Sequence, residues 1–210
     1  MSSPVGHALG ATIVYTALSK AMSLPKLSKG RYLGLALLAL LPDIDAALLS
    51  RVPHRGVTHG ILGTLAISCL FYLLIRSADT AGAPRSRSVV CSVLCGVAHP
   101  IMDTLGCPAR PVEWFAPFWY SGLSINSYWT VLPQPYFYIV NRDSFYLPLS
   151  AIVDNIPQMV CEVLVLSGIL VFIAWPRGRV HGRLVQYVAI VVACLSWIVW
   201  RLYFPTVWMR

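Results

Sequence analysis

The chain has 210 residues, of which 57% are hydrophobic and only 11% charged, against about 25% charged in an ordinary soluble domain. With a mean hydropathy of +0.69, it holds more apolar surface than a soluble globule of this size can hide, and a disordered chain does not carry it, so the composition predicts an integral membrane protein. The net charge of +8 would suggest nucleic acid in a soluble protein. Here the basic residues cluster in short loops between apolar runs, which is a topology signal, and no nucleic-acid partner is expected.

Six runs approach the ~20 apolar residues needed to cross ~30 Å of hydrocarbon: 4–19, 31–50, 57–76, 88–106, 159–175 and 184–204. The first is short and polar for a span. The N-terminal MSSPVGHALG has no basic region ahead of its apolar stretch and does not read as a cleavable signal peptide. The expected fold is an all-α polytopic helix bundle, one membrane-embedded domain over residues 1–210. Its core is 5–106, followed by an aromatic-rich segment 107–158 and two last spans in 159–204.

Lys20, Lys26, Lys29 and Arg31 lie between the first two runs. Arg76, Arg85 and Arg87 lie between the third and fourth, and Arg177, Arg179 and Arg183 between the fifth and sixth. With six spans these loops share one side, which the positive-inside rule makes cytoplasmic, leaving both termini outside. Arg51, Arg55, Arg110, Arg142 and Arg210 fall on the outer side, so the bias is incomplete. Residues 107–158 hold 12 of the 24 aromatics, Trp114, Phe115, Phe118, Trp119, Tyr120 and Trp129 among them. The alternation around Asn141-Arg142-Asp143 predicts a β-hairpin. The segment reads as an interfacial aromatic belt, as a lid for a lipid chain, or as both. Five of the six cysteines lie within apolar runs and no CxxC occurs, so they read as small buried hydrophobes.

Ionisable residues within apolar runs are costly and are functional candidates. Seven of the 13 acids and histidines sit in four short motifs: GHALG with His7, LLPDIDA with Asp43 and Asp45, PHRGVTHG with His54 and His59, and AHPIMD with His99 and Asp103. All fall toward the outer end of their runs. At about 1.5 Å per residue, Asp43 lies ~18 Å from Arg31 and His99 ~17 Å from Ser88 if both runs are helical. Residues that merely hydrogen-bond helices together would not share one depth.

His99 and Asp103, spaced i and i+4, share a helix face. Asp43 and Asp45 are about 200° apart on an ideal helix, and Pro42 is the residue that would distort it. His54 is expected in a turn, and His59 near the start of the third helix with Thr58 as a candidate N-cap. Four His and three Asp suit Zn²⁺, or Mn²⁺ or Fe²⁺, and seven ligands exceed one tetrahedral ion, so two or more ions are expected. Such a centre activates water and clamps a phosphoryl group. Arg55 is read as a phosphate or carboxylate ligand. Glu162 is a further ligand, an acid or base, or the partner of an arginine. His181 and Asp79, in basic loops, are excluded.

At these residues the sequence resembles the membrane-bound metal-dependent hydrolases often labelled LexA-regulated, with an N-terminal His, LPDID, HRGxTH and HxxxD in this order. That family is similar in motif order to the zinc-dependent phospholipase C and nuclease group. The match covers roughly residues 5–106, and Gly60 stands where the family usually has Ser. The resemblance implies hydrolysis with bound divalent metal held by His7, Asp43, His54, His59, His99 and Asp103.

The expected function is lipid hydrolysis at the extracytoplasmic face of a bacterial inner membrane, on a phosphate ester as in a phospholipase C or lipid phosphatase. Asp43 or Asp45 would orient water and Arg55 would steady the charge. A lipid amidase, esterase or deacylase uses the same chemistry on a carbonyl. A metal-ion or proton-coupled transporter is the rival from another class, but no pair of matching broken helices is visible. A non-catalytic scaffold is the last alternative.

Overall fold

The computed structural model describes residues 3–43, 56–78, 82–106, 112–116, 118, 149–175 and 180–203. These form helices α1 (Pro4–Met22), α2 (Lys29–Leu38), α3 (Ile61–Ala78), α4 (Arg85–Gly106), α5 (Leu149–Ala174) and α6 (Val180–Tyr203). A 3-10 turn, Leu41–Asp43, follows α2. No strand occurs among the described residues, in keeping with an all-α fold. The hairpin expected around Asn141-Arg142-Asp143 lies outside them.

Each of the six apolar runs contains a helix, but the expectation of six spans needs correction. Among the described residues, two helical stretches are long and apolar enough to cross a membrane, Ile61–Ala78 and Gly182–Trp200, with a shorter apolar helix at Met159–Ala174. The reason is local. Helix α2 is 10 residues, about 15 Å at the α-helical rise and half a hydrocarbon layer. Helices α1 and α4 are diluted by polar residues that the bundle buries: His7 and Thr16 in the first, Ser88, Ser92, His99 and Asp103 in the second.

Local chemistry sets the helix ends. Ser3 caps α1 by accepting the Gly6 N–H at 3.0 Å, and Pro4 occupies the first turn, where its missing N–H costs nothing. The helix closes at Ser23 in the left-handed region. Helix α1 packs on α4 and α5, α3 on α4, α5 on α6, and α2 on α1 and α3. The core is Tyr15, Leu35, Phe71, Ile75, Cys91 and Cys95. Leucines and valines such as Leu65, Leu73, Val89, Leu195 and Leu202 face outward, the pattern of a bundle whose solvent is lipid.

Cations close one end of the bundle. Lys20 donates to the carbonyls of Ile173 and Ala174 at the end of α5. Arg31 donates to Ser77 at the end of α3 (2.6 Å), and Arg87 to Met22 at the end of α1 (3.0 Å). Each satisfies a carbonyl that helix geometry leaves unpaired and opposes the negative end of a helix dipole. Helices α1, α3 and α5 therefore all end at this level.

Helices α5 and α6 approach closely at Gly168, where a Cβ would stand 2.5 Å from the Ala189 carbonyl oxygen and 2.7 Å from the Ala193 Cβ. Small residues at such crossings permit backbone contact in lipid. Gly168→Leu is expected to cost about 1–3 kcal/mol by overpacking, read as a lower thermal midpoint in detergent. An unchanged midpoint would contradict this packing.

Candidate metal centre

Four separate pieces of chain converge at the end of the bundle opposite the cationic caps. His7 is on the first turn of α1, where its N–H bonds to the Ser3 carbonyl at 3.0 Å. Asp43 ends the 3-10 turn, His59 belongs to the turn before α3, and His99 and Asp103 lie on α4. His7, His59, His99 and Asp103 are buried, and only the Asp43 side chain keeps some exposure, at 19%.

The nitrogen and oxygen atoms meet around a common point. His7 Nε2 lies 3.5 Å from Asp103 Oδ1 and 3.8 Å from Asp43 Oδ2. His59 Nε2 lies 3.3 Å from Asp103 Oδ2 and 3.4 Å from Asp43 Oδ1. His99 Nε2 lies 3.4 Å from Asp43 Oδ1, 3.8 Å from Asp103 Oδ2 and 3.1 Å from His59 Nε2. The His7 and His99 rings stack with centroids 3.6 Å apart, and His59 meets His99 edge-on at 4.9 Å. One ligand atom from each of His7, Asp43, His99 and Asp103 lies within 4.8 Å of all the others.

These separations fit a divalent cation. Most are longer than good hydrogen bonds, but tetrahedral ligands at about 2.0–2.1 Å from a zinc ion stand roughly 3.3 Å from one another. The outer ring nitrogens say the same. His99 Nδ1 is 2.7 Å from the Ala39 carbonyl oxygen, which only accepts, so Nδ1 carries the proton and Nε2 presents its lone pair to the centre. His59 Nδ1 is 3.1 Å from Thr58 Oγ1. Both ring nitrogens of His7 are buried and make no hydrogen bond. Neighbouring imidazole lone pairs at this spacing need a shared cation or proton, so the residues fit a metal.

Local sequence explains this geometry. Pro42 lacks an N–H, the chain turns 3-10, and Asp43 N–H bonds to Leu40 O at 3.1 Å instead of Ala39 O. The Ala39 carbonyl is thereby released to orient His99. The expected shared face of His99 and Asp103 is present. Thr58 is not the cap of α3. That helix begins at Ile61, whose N–H bonds to the Trp114 carbonyl at 2.8 Å, while the Thr58 hydroxyl meets the His59 ring. Asp45, His54 and Arg55 lie outside the described residues.

Two features of the site depend on contacts between segments far apart in the chain. Glu162 is fully buried on α5, and both its oxygens accept the Ser3 N–H, at 3.0 and 3.2 Å. It therefore holds the start of α1 one turn before His7, with its charge on the positive end of the helix dipole. No spacing links residue 162 to residue 3. The second is the turn 112–116, which packs on Gly60 and Ile61, next to His59 in the chain. A Cβ at Gly60 would stand 2.7 Å from the Ala116 carbonyl oxygen and 3.1 Å from that of Glu113. Trp114 Nε1–H donates to Thr104 Oγ1 at 3.1 Å, beside Asp103. Gly60, standing in place of the serine usual in the resembled family, is the signal that a backbone approaches here.

Removing the Glu162 carboxylate should loosen His7. Glu162→Leu is expected to weaken metal binding about tenfold or more, whereas Glu162→Gln keeps an acceptor for Ser3 N–H and binds closer to wild type. Metal titration of purified variants checks this, and equal binding by both would contradict the tether.

No curated protein and no solved structure matches the chain. The family model described as YdjM inner membrane protein matches residues 1–208. Spanning nearly the whole chain, that match and the apolar composition lead to one conclusion: the protein belongs to the YdjM inner membrane protein family.

Proposed function

We propose that the protein is a metal-dependent hydrolase of the bacterial inner membrane, acting on a lipid at the extracytoplasmic face and cleaving a phosphate ester. The observation that supports this reading is the convergence of three imidazoles and two carboxylates, with His59 and His99 Nε2 3.1 Å apart. Imidazole and carboxylate donors suit zinc, manganese or iron(II). His7, Asp43, His59, His99 and Asp103 would hold the metal, with His54 as a further ligand from the segment between Asp43 and Gly56. The bound metal would supply Lewis acidity and an activated water.

The chain's own residues divide the remaining work. Asp43, the one exposed member of the cluster, is where water and substrate reach the centre, and its carboxylate orients the attacking water. Asp103 and the histidines keep the floor of the site closed. Asp45 and Arg55 are assigned to water orientation and to the developing phosphoryl charge. Lys20, Arg31 and Arg87 collect at the end away from the cluster, and the positive-inside rule turns that end to the cytoplasm in a multi-pass arrangement. The centre then lies at the depth of the outer headgroups.

Detergent-purified protein is expected to hold zinc-like ions by mass spectrometry, and His59→Ala and His99→Ala to lose them at equal monodispersity. Phospholipid incubated with the wild type should yield diacylglycerol or free phosphate. The variants and chelator-treated protein should be slower by at least about a hundredfold, the order seen when a charge-stabilising group is removed. Fatty acid or a lyso-lipid would move the reaction to a carbonyl. Metal uptake into proteoliposomes without lipid turnover would replace the hydrolase with a transporter. A reporter fused at Gly82 should report the cytoplasm.

A further inference from the structure

The end of the bundle away from the metal centre carries more positive charge than helix capping uses. Lys20, Arg31 and Arg87 donate to carbonyls there. Lys26, Lys29 and Arg85 are exposed and make no hydrogen bond or ion pair among the described residues. Lys29 and Arg85 open α2 and α4, whose first turns hold no acid to offset them. The sequence at this end offers one acid, Asp79, which lies outside the described residues. A face of this kind draws anions. Beside it, an apolar groove of about 430 Å³ opens between α3 and α4. Leu65, Cys69 and Leu73 on α3, and Val89 and Val93 on α4, line it at spacings of four, so each helix lends one face. Arg85, four residues before Val89, continues the α4 row at the cationic end. The two serines of the groove are turned to their own helices: Ser68 donates to Thr64 O at 2.7 Å and Ser92 to Ser88 O at 2.6 Å. Leu73 and Val89 are exposed, so the groove opens on the lipid-facing side.

We propose that this end of the bundle binds an anionic phospholipid from the leaflet away from the metal centre. Its headgroup lies against the cations Lys26, Lys29 and Arg85, and one acyl chain lies in the α3–α4 groove. The continuity of the two surfaces selects this occupant. A soluble acidic protein would match the charge and leave the adjoining apolar strip to lipid, and a zwitterionic lipid would match the strip and leave the charge unanswered. An anionic phospholipid matches both, since a cluster of Lys and Arg at the membrane surface attracts acidic headgroups. Bound there, it neutralises the cations at the starts of α2 and α4 and seals the seam between α3 and α4, so it stabilises the bundle. The site is separate from the metal centre, and the proposal does not depend on the hydrolase reading.

The test is native mass spectrometry of the purified full-length protein with phosphatidylglycerol and phosphatidylcholine of equal chain length, beside thermal midpoints in the same lipids. One Lys or Arg near an anionic surface is worth about fivefold in affinity, so the wild type should retain phosphatidylglycerol at least about tenfold better and melt higher in it. The triple variant Lys26→Gln, Lys29→Gln, Arg85→Gln should bring the two lipids to within about twofold. Its three side chains make no contact that holds the fold, so its midpoint in phosphatidylcholine should equal the wild type's. Lys29→Arg with Arg85→Lys should keep the preference. Val89→Trp, which fills the groove from its open side, should weaken retention of both lipids while leaving their ratio. Equal retention of both lipids by the wild type would overturn the proposal, as would a preference that survives the triple variant. Unchanged retention by Val89→Trp would overturn the placement of the chain. A preference lost in His59→Ala would move the lipid to the metal centre, and displacement of the lipid by inorganic phosphate or a polyglutamate peptide would make the face a site for soluble anions. Either result would overturn the proposal.

Discussion

Three imidazoles and two carboxylates cannot be gathered inside an apolar bundle without a reason, because each loses water that only a partner of the right charge replaces. Here they meet at 3.1–3.8 Å, too far for most to be good hydrogen bonds and close enough to share a cation. The remaining features of the structure serve this meeting. Pro42 ends one helix so that Asp43 turns inward and Ala39 offers its carbonyl to His99. Gly60 lets a turn of backbone pack next to His59 in the chain.

The bundle is tied at both ends by helix-terminus chemistry. At one end Lys20, Arg31 and Arg87 neutralise the carbonyl ends of α5, α3 and α1. At the other, Glu162 takes the N–H of Ser3, the cap of α1. Each such bond also fixes how one helix lies against the next. Helix α1 is held against α5 at both of its ends, which keeps His7 at the level of the α4 pair. The basic residues that read as a topology signal are thus also structural, donating to backbone as well as facing headgroups.

Much of the candidate site is legible in the amino-acid sequence, since an ionisable residue in an apolar run stands out and four such motifs predict one shared depth. His7, Asp43, His59, His99 and Asp103 meet there. The i, i+4 spacing of His99 and Asp103 is readable because helical periodicity is local. The role of Glu162 is not, because its partner is a backbone N–H 159 positions away. Thr58 misleads for a similar reason: a hydroxyl before a helix suggests a cap, but Trp114 from a distant turn takes the helix N–H first. Fewer of the described helices than the six runs expected are long and apolar enough to span, because buried polar side chains dilute α1 and α4 and α2 is only 10 residues long.

The sequence by itself determined the helical class, the membrane as solvent and the identities of the ionisable side chains that meet at the candidate centre, since these follow from composition and short-range spacing. Only the tertiary structure decided which carbonyl orients which ring, which acid accepts the N–H of the α1 cap, and which turn packs on Gly60. Those depend on contacts between residues far apart in the chain, and no local pattern encodes the direction from which a distant segment arrives.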